Sequence, residues 1–297
     1  MNVSQTSKST RIVLDATLRL LLFGIRITPK PLTGALCALL YRISSLFNRK
    51  DRSKIARNID RILDIPVDSD ASRNFQKRVL KHQIDSSVES FKSGFNHQLI
   101  HIDGFEEFQG KVKNNLADGR GLIVITGHLG SWELAAYFSA LASGERFNAL
   151  AKPSKLDVAT RLLDEYRQRM NTKTLWTHQR SLLKTMVKTL NNGEALGFVM
   201  DQRPDGRKGP TAQFMGQPTT FAVGPAWTAA RCNSPIMGLF CIRQGPWRYR
   251  LISTDLLPAN HGETDTEAMT QLMASEIERV IRLYPHQWVW NYNRWNF

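Results

Sequence analysis

From residue 99 onward the chain alternates between two kinds of segment. Short apolar runs occur at LIHIDGF (99–105), GLIVIT (121–126), RFNALAK (146–152), ALGFVM (195–200), PIMGLFCI (235–242) and WRYRLIS (247–253). Stretches with helical spacing fall among them at 131–142, 155–170, 180–191, 222–231 and 264–283. Strands that alternate with helices pair into one sheet, and the helices cover its faces. The expected fold is therefore α/β, with a central mixed β-sheet flanked by helices. Residues 49–100 carry apolar side chains at three- and four-residue spacing in KIARNIDRILDI and NFQKRVLKHQIDSSVESFKSGF, a helical lead-in to the core at 101–297.

Residues 1–48 differ from the rest. They are rich in Leu and Ile but interrupted by Asp15, Arg19, Arg26, Pro29, Lys30, Pro31 and Arg42. The longest unbroken apolar stretch, Leu20 to Ile25, is far short of the ~20 residues that span a bilayer. Charges inside each apolar block also argue against a secretory signal. Apolar stripes with interspersed cations suit helices lying in a membrane interface, so 1–48 is expected to be a helical membrane-associating segment. The competing expectation is a helix pair docked on the protein's own core.

The 297-residue chain has 40 Lys+Arg against 26 Asp+Glu, a formal charge of +14. Such a surface attracts polyanions: nucleic acid, anionic lipid or an acidic carrier protein. Its aromatic residues are not arranged as in RNA-binding strands, and no helix-turn-helix or zinc pattern occurs, so nucleic acid is not the expected partner. Three scattered cysteines, Cys37, Cys232 and Cys241, form no CxxC pair and suit a reducing compartment.

One segment carries chemistry. GLIVITGHLGSWELAA (121–136) ends a buried strand on Gly127-His128 and opens a helix on Trp132, with Ser131 as its expected N-cap. Working groups of α/β sheets gather at such strand ends. Glu133 stands five positions after His128. With seven His and 26 acids in the chain, chance alone supplies roughly 0.6 such pairs, and His101 with Glu106 is a second one. Context separates them, because only His128 lies between a fully apolar strand and a helix start. A carboxylate on one imidazole nitrogen would fix the tautomer and make the other nitrogen a general base for a hydroxyl. The structural alternatives are a satisfied core histidine and a first-turn acid favouring the helix dipole. GxSxG, HExxH, Walker A and GxGxxG patterns are all missing from the sequence. No His or Cys has ligand spacing to His128, so neither a metal nor a bound cofactor is expected.

These residues, taken together, resemble the lipid A biosynthesis (lauroyl/myristoyl) acyltransferases of the lysophospholipid acyltransferase-like superfamily. HLGSWE (128–133) is similar to that family's HxGxWE block. IARNIDRILDIP, IDGFEEFQ, the DQRPDGRKGPTAQFMGQPTTFAVGPAWTAARCNSPI region and the closing YPHQWVWNYNRW resemble four more, in order. The resemblance runs from about residue 50 to the C-terminus and makes 49–297 an acyltransferase domain. It implies an O-acyltransferase that moves a fatty acyl chain from an acyl carrier protein or acyl-CoA thioester to a hydroxyl of a lipid A precursor. The acceptor is an anionic lipid, and the work is done at the cytoplasmic face of the bacterial inner membrane. By the same resemblance His128 is the base, Glu133 orients and charge-stabilises it, and Arg167 serves the oxyanion, with Arg169 close by. Lys152, Arg169, Asp201, Gln202, Arg207 and Lys208 are the substrate-binding candidates. Phe214, Met215 and Gly216 are candidates for the acyl groove or for the core. The chain departs from the family pattern at Ser131 (usually Asn), Lys152 (commonly Arg) and Asn293 (usually Arg). Those departures bear on the acceptor, and a lysophospholipid, an aminolipid or another glycolipid is the alternative.

Overall fold

The computed structural model describes residues 8–204, 206 and 209–295. Strands β1 (His101–Asp103), β2 (Leu122–Thr126), β3 (Phe147–Ala151), β4 (Thr172–Trp176), β5 (Ala195–Val199), β8 (Ile236–Gly245) and β9 (Arg248–Leu257) form one sheet in the order β1-β9-β8-β2-β5-β3-β4. β8 and β9 pair antiparallel and every other neighbour pair is parallel, so the sheet is mixed, as expected. β6 (Thr211–Phe214) and β7 (Gln217–Thr220) make a separate hairpin. Neither the hairpin nor β4 stood out in the sequence; TKTLW is short and mostly polar, as suits an edge strand.

β2 is the centre of the architecture. All five of its residues are buried, because it pairs on both edges and is covered on both faces. Ile123 and Ile125 pack on one face with residues from α8 (Leu182–Asn191), α9 (Gly224–Cys232) and α10 (Thr266–Leu283). Leu122 and Val124 pack on the other with α5 (Phe105–Leu116) and α6 (Trp132–Ala142). Strand alternation thus divides one apolar run between two cores. The register places Thr126 of β2 opposite Val199 of β5. Two residues beyond each partner stand His128 and Asp201, at the same end of the sheet.

The loop after β2 is held tightly. Gly130 has φ +62°, and a Cβ there would collide with the Cys241 carbonyl of β8. That close approach lets the Ser131 N–H donate to Cys241 O at 2.8 Å. Ser131 then caps α6 as expected, accepting from the Leu134 N–H at 3.4 Å, and shares a 2.6 Å hydrogen bond with Ser90.

The lead-in is helical: α3 (Arg49–Leu63) and α4 (Asp70–Ser93), the latter capped by Ser69, which accepts from the Ser72 N–H. α7 (Asp157–Arg169) lies between β3 and β4. α1 (Lys8–Ile27) and α2 (Thr33–Phe47) precede them, broken at Pro29–Pro31. Among the described residues, eleven of the sixteen exposed large apolar side chains lie between Ile12 and Phe47, so the apolar surface is concentrated on these two helices. No helix among the described residues is long and apolar enough to cross a membrane. The three cysteines are free and buried.

Candidate active site

His128 and Asp201 meet where β2 and β5 end. The Asp201 carboxylate accepts from His128 Nδ1 at 2.7 Å, from the His128 backbone N–H at 2.9 Å and from Trp288 Nε1 at 2.7 Å. With Asp201 on Nδ1, that nitrogen carries the proton and Nε2 presents its lone pair outward. The imidazole is 23% exposed while the carboxylate is 3% exposed, so the base is reachable and its partner is not. Burial on its own would raise the Asp201 carboxyl. The adjacent imidazole and the three N–H donors outweigh that effect and hold it below the ordinary carboxylate value. Gln202 brings its amide nitrogen to 3.4 Å from His128 Nε2. The ring of Trp132 stands edge-on to the imidazole at 5.1 Å.

The carboxylate on the imidazole is therefore Asp201, not Glu133, which corrects the expected His-x4-Glu contact. The reason is helical geometry. Glu133 lies in the first turn of α6, where it faces α7, and takes both forks of Arg167 at 2.9 and 2.7 Å. This ion pair is largely buried, at 9% and 18% side-chain exposure. Burial opposes the Arg167 charge, but Glu133 overrides it and raises the guanidinium pKa above its usual value. Arg167 Nη1 is buried with no hydrogen-bond partner. A buried guanidinium NH2 with no acceptor costs free energy unless a ligand oxygen reaches it. Arg167→Met strands the Glu133 carboxylate and is expected to cost ~3 kcal/mol in urea unfolding, whereas adding Glu133→Gln to it recovers most of that loss.

Arg167 and Trp132 also border a small apolar pocket between α6 and the sheet, walled by Val124, Ala135, Ala149, Gly197, Phe198 and Leu239. Phe147 lies against Gly197, where a Cβ would collide with its ring. On the other side of Trp132 a cleft of about 550 Å³ runs past Ser131, Ser90 and His82 of α4.

The other candidates fall in different places. Lys152 is exposed just beyond β3, at the sheet end that carries His128. Arg169 is exposed on the far side of α7, with its guanidinium 5.2 Å from the Phe95 ring. Arg207 and Lys208 lie outside the described residues. Phe214 and Met215 are core, with Phe214 packed on Trp288 and Trp295 at 5.9 and 6.3 Å. His101 pairs with Asp103 at 2.9 Å on the exposed edge strand β1. α5 opens at Phe105 with Glu106 in its first turn, so this pair too precedes a helix start, which corrects the expectation that only His128 does. What sets His128 apart is its buried central strand.

The structural part played by Trp288 was not legible in sequence. The C-terminal segment folds back across the loop after β2: the Val289 N–H donates to His128 O at 3.1 Å and the Gly130 N–H to Gln287 O at 3.1 Å. The YPHQWVW block was the available signal, but its residues read equally as packing.

A histidine oriented by a buried carboxylate thus stands at the end of parallel strands in an α/β fold, with a small apolar pocket beside it. The chain belongs to the bacterial lipid A biosynthesis acyltransferase family, whose sequence model matches residues 1–296. It is also similar to the phosphatidylinositol mannoside acyltransferases of two Mycobacterium tuberculosis strains, CDC 1551 / Oshkosh and ATCC 25618 / H37Rv. Each is 25% identical over 176 residues, covering 58% of this chain and 54% of the relative. The chain thus spans about half the length of the curated relatives it matches.

Proposed function

We propose that this chain transfers a fatty acyl group from a thioester donor, an acyl carrier protein or acyl-CoA, to a hydroxyl of a lipid A precursor. The observation that carries this reading is the partly exposed imidazole of a carboxylate-held His128. His128 Nε2 takes the proton of the acceptor hydroxyl as its oxygen attacks the thioester carbonyl. A C–O bond forms and a tetrahedral oxyanion develops, to which the unpartnered Arg167 Nη1 donates. The C–S bond then breaks, and the leaving thiolate takes the proton from the imidazolium. Asp201 stabilises that imidazolium without accepting its proton. Glu133 acts as a positioning residue for Arg167. Gln202, Lys152 and the segment holding Arg207 and Lys208 serve the polar parts of the substrates.

Residues 1–48 seat the protein on the cytoplasmic face of the bacterial inner membrane through the apolar surfaces of α1 and α2. Their exposed Ile, Leu and Phe side chains support this reading. A second acceptor, another membrane glycolipid, is favoured by the departures at Ser131 and Lys152 and by the mannoside acceptor in the relatives' name. Mass spectra of lipid A from the parent bacterium and from a strain lacking the gene decide between them. One secondary acyl chain is expected to disappear and to return with the wild-type gene. If lipid A is unchanged and another glycolipid loses an acyl chain, the second acceptor is the right one.

A further inference from the structure

A second groove, of about 760 Å³, lies between α1, α4 and α7, away from the catalytic pair. Its walls are Arg19, Leu22, Phe23 and Arg26 of α1, Phe91 of α4, Phe95, and Glu165 and Arg169 of α7. The Glu165 carboxylate is already occupied, since both of its oxygens accept from Arg19 at 3.0 and 2.8 Å. The other two cations are differently placed. The guanidinium of Arg26 stands 4.4 Å and that of Arg169 5.2 Å from the centroid of the same ring, Phe95; among the described residues neither makes an ion pair, although the nearby Glu165 charge acts on Arg169. Two like charges gathered at one aromatic ring repel each other and are stabilised by an anion within reach of both.

The groove is built to hold its shape at this point. Lys92 of α4 is only 4% exposed, and its ammonium donates to the carbonyls of Ile25, Arg26 and Thr28 at 3.0, 3.1 and 2.6 Å. It therefore caps the C-terminal end of α1 and fixes the backbone that carries Arg26. One end of the groove opens on the exposed apolar side chains of α1, where Phe23 is 53% exposed. The other end abuts the active-site cleft, with Phe91 and Tyr166, stacked at 6.0 Å, as the wall the two share.

We propose that this groove is a subsite for the phosphate of a membrane lipid, with Arg26 and Arg169 as its ligands, and that the lipid slides in sideways from the bilayer along α1. The inference rests on the reading of α1 as an interfacial helix and deepens it by naming the path and the recognised group. The phosphate accepts from the two guanidiniums, and the apolar part of the lipid lies against Leu22, Phe23 and Phe91. This route brings the lipid to the α1 side of the active-site cleft.

The test is calorimetric titration of the full chain, held in amphipol, with dihexanoyl phosphatidic acid, dihexanoylglycerol and inorganic phosphate. Wild type is expected to bind the phosphatidic acid at least about tenfold more tightly than either of the others, since only that probe has both the phosphate and the apolar part. R26Q/R169Q is expected to weaken phosphatidic acid binding by about tenfold or more with an unchanged melting temperature. K113Q/K184Q, which removes the same charge from distant exposed positions, is expected to shift it by less than about twofold. Equal affinity of R26Q/R169Q and wild type overturns the proposal, and so does inorganic phosphate binding as tightly as the lipid. H128A is expected to bind phosphatidic acid like wild type. If H128A retains acyl transfer, the catalytic reading fails while the lipid result stands on its own.

Discussion

Replacing His128 by alanine is expected to lower acyl transfer by about 10³- to 10⁴-fold in a chain that still folds. The imidazole is the only group at the carboxyl end of β2 with a lone pair directed outward and a buried carboxylate behind it, among the described residues. Its removal takes away the proton acceptor for the attacking hydroxyl. The backbone contacts of the loop survive, since the residue 128 N–H can still donate to Asp201 and its carbonyl can still accept from the Val289 N–H. The measurement is single-turnover transfer from a radiolabelled thioester, with a circular dichroism melt as the folding control. Unimpaired turnover in a folded variant would rule out His128 as the base.

Asp201→Asn is expected to reduce turnover by ~10³-fold while leaving KM nearly unchanged. The carboxylate accepts three N–H donors, from the ring and backbone of His128 and from Trp288. An amide oxygen in its place faces the same donors, and the amide NH2 adds two more. One way to relieve the conflict is for the NH2 to donate to His128 Nδ1. That moves the imidazole proton to Nε2, where it blocks the base. The sign of the pH effect on the wild type follows from the lowered Asp201 value. The stabilisation is complete above the ordinary aspartate pKa of about 3.9 and is lost as pH falls through the lower folded-state value. Asp201→Asn removes this acid limb, which pH-dependent melting of the two proteins would reveal. An Asn variant with wild-type turnover would instead confine Asp201 to a structural part.

Much of this was legible in the sequence. LIVIT is a fully apolar run, and such a run between turn residues fits few environments other than a doubly covered central strand. The break after it, Gly127-His128, and the Ser131 cap followed from local chemistry and stand in the structure. The α/β class followed from alternation alone. The edge strand β4 and the hairpin did not, because their pairing depends on neighbours and their composition is not apolar.

The catalytic partner is where local reading reached its limit. Spacing drew attention to Glu133, which is near His128 in sequence, but the first turn of α6 directs it towards Arg167. Asp201 is 73 residues away from His128 and bonds to it. By itself the sequence determined that a histidine stands at the end of a buried strand, because strand, turn and cap are decided by neighbouring residues. Only the tertiary structure decided which carboxylate holds it. That choice is made by the parallel register of β2 against β5, a long-range pairing that brings two loop ends to the same edge of the sheet.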